Sequence, residues 1–223
     1  MRYDYSGIRH PLLPTVPIGA IVISSPSGAG KSTLIQYLLN RFQDDLRLSV
    51  SFTTRVPREG EVDGREYTFV DKNNFVEQIN NGVFLEYAEL FGSFYGTRRD
   101  TVEEYFTKGY GVIFDVDWHG AQALRKELKD LISIFILPPS LAVLEERLLM
   151  RGKDSKSVVR SRMDEALCDI SHWSEYDYVL INSDLDMCKR NIESLIVSSV
   201  LKRQQKDISN FVEGIFKERE PSK

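Results

Sequence analysis

The segment Ser25–Ser32 (SPSGAGKS) has the residue types and spacing needed to hold a chain of phosphates. Phosphate oxygens require many donors converging on a small volume. Gly28 and Gly30 let the backbone curl so that successive N–H groups point inward, and a helix starting at Lys31 adds its positive end. Lys31 supplies a point charge for β- and γ-phosphates, while the Ser32 hydroxyl suits Mg²⁺. Ser25, Pro26, Ser27 and Ala29 complete the loop, and Thr33 follows it. Ser25 stands where such loops carry their first glycine, a departure from the strict pattern. Against a chance glycine-rich turn stands the order of elements: an apolar strand pattern directly before, a helical pattern directly after.

Several other groups could handle charge. Arg55 and Arg58 lie three apart beside Gly60 and could clamp a second phosphate, each with planar bidentate geometry. Tyr67 and Tyr95 offer hydroxyls to the same oxygens. Each hydrogen bond to a charged group is worth about 1.5–3 kcal/mol, so such a cluster would anchor a monophosphate strongly. Solvated surface arginines are the plainer alternative. Asp115 and Asp117 end the apolar run IFDVD, where α/β folds present ligand-binding groups, although a helix cap and a surface charge would look the same. Arg147 and Arg151 share a helix face flanking the basic stretch MRGKDSKS (Met150–Ser157), and Arg162 follows. That arrangement fits a lid that closes over a transferring phosphoryl group, or simply a basic helix end. His10, His119, His172, Trp118 and Trp173 form no Ser-His-Asp or Cys-His order and read as packing or surface residues.

The elements that must position these groups alternate. Strand patterns occur at Ala20–Ile23, Leu48–Phe52, Tyr67–Val70, Phe84–Leu90, Val112–Val116, Ile132–Leu137 and Tyr178–Ile181. Helical patterns occupy Lys31–Arg41, Asn74–Asn80, Thr101–Thr107, Gly120–Leu128, Ser140–Met150, Val158–His172 and Leu185–Lys202. This alternation predicts an α/β fold with a parallel core sheet and helices on both faces. The polar, glycine-punctuated stretch from about 51 to 101 reads as a strand-rich insertion carrying a binding site. The expected organisation is an N-terminal tail at 1–17, one domain at 18–202 with a lid near 150–162, and a charged C-terminal tail at 203–223.

Composition bounds the rest. With 223 residues, 42% hydrophobic and 28% charged, the chain is globular and can bury a sizeable core. A net charge of −4 gives no reason to expect nucleic-acid or membrane binding. Two cysteines, Cys168 and Cys188, cannot form a disulfide framework and suggest a reducing compartment. The first residues lack the apolar stretch of a signal peptide, and a cytoplasmic location follows as an expectation.

The longer motifs name the acceptor. SVSFTTRVPREGEVDGREYTF (Ser49–Phe69) and FLEYAELFGSFYGT (Phe84–Thr97) resemble the monophosphate segment of guanylate kinases. IFDVDWHG (Ile113–Gly120) and YDYVLINSDLD (Tyr176–Asp186) follow in that family's order, so the resemblance covers roughly Ile18 to Lys202. It implies a P-loop nucleoside monophosphate kinase fold and Mg²⁺-dependent phosphoryl transfer from ATP to GMP, with dGMP also accepted. By the same resemblance Glu86 reads the N1–H and 2-amino group of guanine, with Ser51 and Thr97 donating to O6. Glu61, Gly96 and Asp117 belong with Arg55, Arg58, Tyr67 and Tyr95 at the monophosphate. Asp115 falls near phosphates and metal, and Asn182 near the adenine of ATP. Lys31, Arg55, Arg147, Arg151, Arg162 and Asp115 are the expected charge-handling set in catalysis. Asp169 is given no role, and monomer or homo-oligomer stays open. A sugar-phosphate kinase on the same scaffold and a non-catalytic guanylate-kinase-like module are the alternatives. The full acceptor set argues against the first, and intact Lys31, Ser32, Arg147 and Arg162 argue against the second.

Overall fold

The computed structural model describes residues 18–90, 92–150 and 156–203, with 212, 215 and 216. The expected terminal tails, Arg151 and the centre of the basic stretch therefore lie outside the described residues.

Five strands form one parallel sheet in the order β2-β7-β1-β8-β9: β1 (Ala20–Ser24), β2 (Leu46–Ser49), β7 (Gly111–Asp115), β8 (Ile132–Leu137) and β9 (Tyr178–Ile181). Strand β1 is central and buried throughout, and its alternate side chains feed two cores. Ile21 and Ile23 pack with Leu34 and Leu38 of α1 (Lys31–Arg41) and with Ile192 and Ile196 of α7 (Leu185–Arg203). Val22 faces the other way, toward Val102 of α3 (Arg99–Thr107) and Leu124 of α4 (Trp118–Glu127). Helices thus cover both faces, and the parallel strand ends converge on one edge where loops can hold a ligand.

A second sheet of four short strands, β4-β3-β6-β5, carries the glycine-punctuated insertion. Its strands are β3 (Phe52–Thr53), β4 (Thr68–Phe69), β5 (Phe84–Leu90) and β6 (Ser93–Arg98). The expected single strand Leu48–Phe52 is two strands in two sheets: β2 pairs with β7, whereas β3 pairs with β4 and β6. Helix α2 (Lys72–Asn80) is capped by Asp71, whose carboxylate accepts from Asn74 N at 2.9 Å. Its one buried side chain, Phe75, stacks on Phe84 at 4.4 Å and Phe94 at 5.4 Å, a small aromatic core that holds this sheet together.

Helices α5 (Leu141–Met150) and α6 (Lys156–Ser171) flank the basic stretch and share a third core of Leu144, Leu148, Val159 and Ala166. Helix α6 begins inside the segment expected to be loop. No helix among the described residues is long and apolar enough to cross a membrane.

Candidate active site

A cleft of about 540 Å³ lies between the two sheets, and the loop after β1 forms its floor. The chain turns there because Gly28 and Gly30 both adopt left-handed backbone, at φ 93° and 101°, which side-chain-bearing residues resist. Gly30 is the N-cap of α1, so the helix presents its unpaired N–H groups to the cleft. Ser25, Pro26, Ser27, Gly28, Gly30, Lys31 and Ser32 line it, whereas Ala29 is buried beneath and Thr33 is exposed outside.

Lys31 Nζ sits 2.6 Å from Asp115 Oδ1 at the end of β7. Burial pulls the lysine pKa down, but the Asp115 carboxylate outweighs it and the net shift is upward. Lys31 is therefore a cation across the whole working pH range. Asp117 also reaches the cleft, and it caps α4 as well: Oδ1 accepts from Gly120 N at 3.0 Å and Oδ2 meets His119 Nδ1 at 2.8 Å. Trp118, stacked between His119 and His172, lines the same wall.

From the second sheet come Ser51, Tyr67, Glu86 and Tyr95. Glu86 stands opposite Thr97 in the β5–β6 register, and both are buried, at 6% and 1% exposure. Burial pushes the Glu86 carboxyl up to about 7, with the Asp117 charge adding to the rise and Thr97 opposing it. A buried carboxyl of this kind is suited to a partner that brings its own donors. Gly96 does not reach the cleft; a Cβ there would stand 3.0 Å from Phe75 and Phe84, so its lack of a side chain serves packing.

Arg55 is tied down. Its Nη2 donates to both Glu61 oxygens, at 2.8 and 2.9 Å, and its Nη1 donates to Val56 O at 2.9 Å. Arg58 is exposed, and its backbone N–H donates to the same Glu61 at 2.7 Å. The two arginines thus flank one glutamate outside the cleft wall. Arg55 still lies over Tyr67, 5.3 Å from the ring centre, and Tyr67 packs edge-on to Tyr95.

Three expected residues sit behind the floor or above it. Asn182 is buried and donates to Ala29 O, Arg147 Nη2 reaches Asn182 O at 3.5 Å, and half-buried Arg162 is on α6. Glu165, not singled out in the sequence, lines the cleft from one face of α6 with Cys168 and with Asp169, to which no role was given. Their i, i+3, i+4 spacing was the available signal. Burial first and then the Asp117 charge push the Asp169 carboxyl up to about 6.

Among the described residues no group of three or more His, Cys, Asp or Glu side chains could hold a metal ion unaided. Mg²⁺ does not need one, because it keeps several waters and takes substrate phosphates, with one or two protein oxygens. Ser32 and Asp115, both at the cleft, fit that donor chemistry.

The guanylate kinase family model matches residues 19–199. A guanylate kinase of Cereibacter sphaeroides is 44% identical over 198 residues, covering 87% of this chain and 93% of its own. That of Vibrio cholerae is 49% identical over 185 residues, 82% of this chain and 89% of its own. The crystal structure of guanylate kinase from Anaplasma phagocytophilum superposes with a TM-score of 0.66 at 33% identity, covering 83% of this chain and 87% of that one.

Proposed function

The chain belongs to the guanylate kinase family, whose reaction is γ-phosphoryl transfer from ATP to GMP, and we propose that its own residues divide that work as follows. The loop Ser25–Thr33 holds the ATP phosphates on its N–H groups and on Lys31. The second sheet, within about 51–101, is the acceptor unit, and Glu86 accepts from N1–H and the 2-amino group of guanine. Ser51 and Thr97 face the base beside it. Tyr67, Tyr95 and the Arg55–Arg58–Glu61 loop hold the GMP phosphate, with Asp117 closing the wall. The junction of α5 and α6 serves as the lid, bringing Arg147 and Arg162 toward the transferred group. dGMP is accepted as well, since the recognition named here is of base and phosphate.

One observation carries this reading: a single cleft is lined by both the phosphate loop and the buried acid Glu86. The donor and the acceptor base therefore face one another. An oxygen of the GMP phosphate bonds to Pγ as the bond from Pγ to the β–γ bridging oxygen breaks, giving GDP and ADP. The attacking phosphate is already anionic, so no side chain needs to remove a proton. Positioning and charge stabilisation remain for the protein. Mg²⁺, held through Ser32 and Asp115, would neutralise charge on the phosphate oxygens. Cys168 and Cys188 are both free thiols, which suits the reducing cytoplasm proposed for the chain.

The test is a coupled ADP-release assay with GMP, dGMP, AMP, UMP and a sugar phosphate. Turnover confined to the two guanine nucleotides is expected. Equal turnover of AMP, or of the sugar phosphate, would overturn the assignment of Glu86.

A further inference from the structure

A loop that points its N–H groups at a ligand must point carbonyls away from it. In Ser25–Ser32 that outward group is the carbonyl of Ala29, which is fully buried and so needs a donor from the protein. Asn182, 153 positions away and just past β9, supplies it: Nδ2 donates to Ala29 O at 2.8 Å. The Asn182 side chain is itself held in place. Its backbone N–H donates to Leu137 O at 2.8 Å, and its carbonyl faces Arg147 Nη2. The fit is close enough that a Cβ on Gly30 would collide with the Asn182 amide. Leu144 and Leu148 of α5 press on Gly28 from the same side, where a Cβ would stand 3.1 Å from Leu144 Cδ1.

We infer that Asn182 is a positioning residue for the phosphate loop: it fixes the Ala29–Gly30 peptide from behind so that the loop's N–H groups stay aimed at the triphosphate. One of its two amide N–H donors is spent on the Ala29 carbonyl, and the residue is 4% exposed, so the side chain is packed against the loop from behind. The role acts on phosphate affinity whatever base the nucleotide carries. Arg147 joins the same unit, because its guanidinium links α5 to the carbonyl of the residue that steadies the loop.

The inference rests on reading Ser25–Thr33 as the triphosphate site, and wild-type binding of inorganic tripolyphosphate, a base-free probe, tests that reading by itself. In Asn182→Asp, nearly the same shape, the donor becomes an oxygen that faces the Ala29 carbonyl. The unsatisfied carbonyl would turn the peptide out of register to find water, and restoring the loop on binding then costs up to about a hundredfold in affinity. The experiment measures tripolyphosphate and ATP dissociation constants by calorimetry, and kcat/KM with ATP and with CTP as donors, for wild type and Asn182→Asp. Expected is one common loss factor for tripolyphosphate and ATP, and an ATP-to-CTP ratio unchanged within about twofold. A loss confined to ATP, with tripolyphosphate binding intact, would overturn the inference and make Asn182 a base contact. Unchanged affinity for both ligands would overturn it too. If wild type fails to bind tripolyphosphate, the triphosphate site is misassigned and this inference falls with it. Should Asn182→Asp not fold, Asn182→Ser is measured instead, since its shorter side chain also gives up the Ala29 bond, and the same outcomes decide.

Discussion

Lys31 Nζ and Asp115 Oδ1 are 2.6 Å apart, joining the first residue of α1 to the last residue of β7 across the cleft floor. The carboxylate orients the lysine and keeps it charged. Lys31→Met keeps most of the length but removes the cation. Because charge on the β- and γ-phosphates shifts as the transition state forms, kcat should fall by about 10²-fold or more. The pair is partly exposed, so thermal unfolding should change by less than about 1 kcal/mol in stability. Near wild-type turnover of GMP would remove Lys31 from the mechanism.

Glu61 ties the 55–61 loop into one unit by accepting from Arg55 and from the Arg58 N–H. Glu61→Ala releases both, and Arg55 then samples rotamers in which it no longer lies over Tyr67. We expect the KM for GMP to rise about fivefold or more, with the KM for ATP unchanged, in steady-state kinetics with each substrate varied in turn. An equal rise for both substrates would show that the loop does not belong to the acceptor side.

The features legible in the sequence were those encoded locally. The AIVI strand and the SPSGAGKS loop are contiguous, Ile132–Leu137 and Tyr178–Ile181 are short apolar runs, Phe84–Leu90 is a largely apolar run with two acids, and the bounds of all three match the observed strands. The break between Ser49 and Phe52 was not legible. An apolar run records that residues are buried, not which of two sheets buries them, and here the chain changes sheets within two residues. Strand β6 was hidden in the same way, although Gly92, with φ 74°, marks the turn before it. At the site, residue types pointed to chemistry better than to partners. Asn182 could be placed near the adenine of ATP by resemblance, but its bond to Ala29 joins the end of β9 to the loop after β1, two strands away and 153 positions apart, and has no local pattern. Asp169 was given no role because it replaces the glutamate that many guanylate kinases carry at this place, whereas the packing of α6 sets its carboxyl in the cleft wall.

Burial gives the unliganded protein a pH signature. Glu86, raised to about 7, and Asp169, raised to about 6, both hold a proton more tightly when folded than when unfolded. Their contribution to stability is fully present below the ordinary carboxyl pKa, about 4, and is lost as pH rises through the folded values. The melting temperature of the ligand-free protein should therefore fall between about pH 4 and pH 7, and Glu86→Gln should flatten part of that fall. In the role proposed for Glu86, catalysis runs the other way, since only the ionised carboxylate would accept both guanine donors. For the free enzyme, kcat/KM with GMP should rise with pH up to about 7. The second ionisation of a phosphate monoester, near 6, adds a limb that belongs to the substrate. A profile identical in wild type and Glu86→Gln would show that Glu86 does not titrate in this range.

Glu86→Gln also decides between guanine and other bases. In the role proposed for it, the carboxylate would accept from N1–H and the 2-amino group of GMP, and against AMP it would face the N1 lone pair with no 2-amino partner. A desolvated charge left unpaired by the wrong base can discriminate by about 10⁴–10⁵. Glutamine keeps the shape, retains one acceptor and turns the other into a donor that opposes a donor. The expected fall in kcat/KM for GMP is at least about 10²-fold, or roughly 2.7 kcal/mol. The ATP KM should barely move, because the proposed ATP site is the phosphate loop on the other side of the cleft. Activity on AMP, already poor, should fall less than activity on GMP, so that the ratio of the two narrows. Steady-state kinetics on both proteins with both monophosphates gives that ratio directly. If it stays the same, the base is read elsewhere in the cleft, and Glu86 is held in its buried position between Thr97 and Asp117 for structure alone.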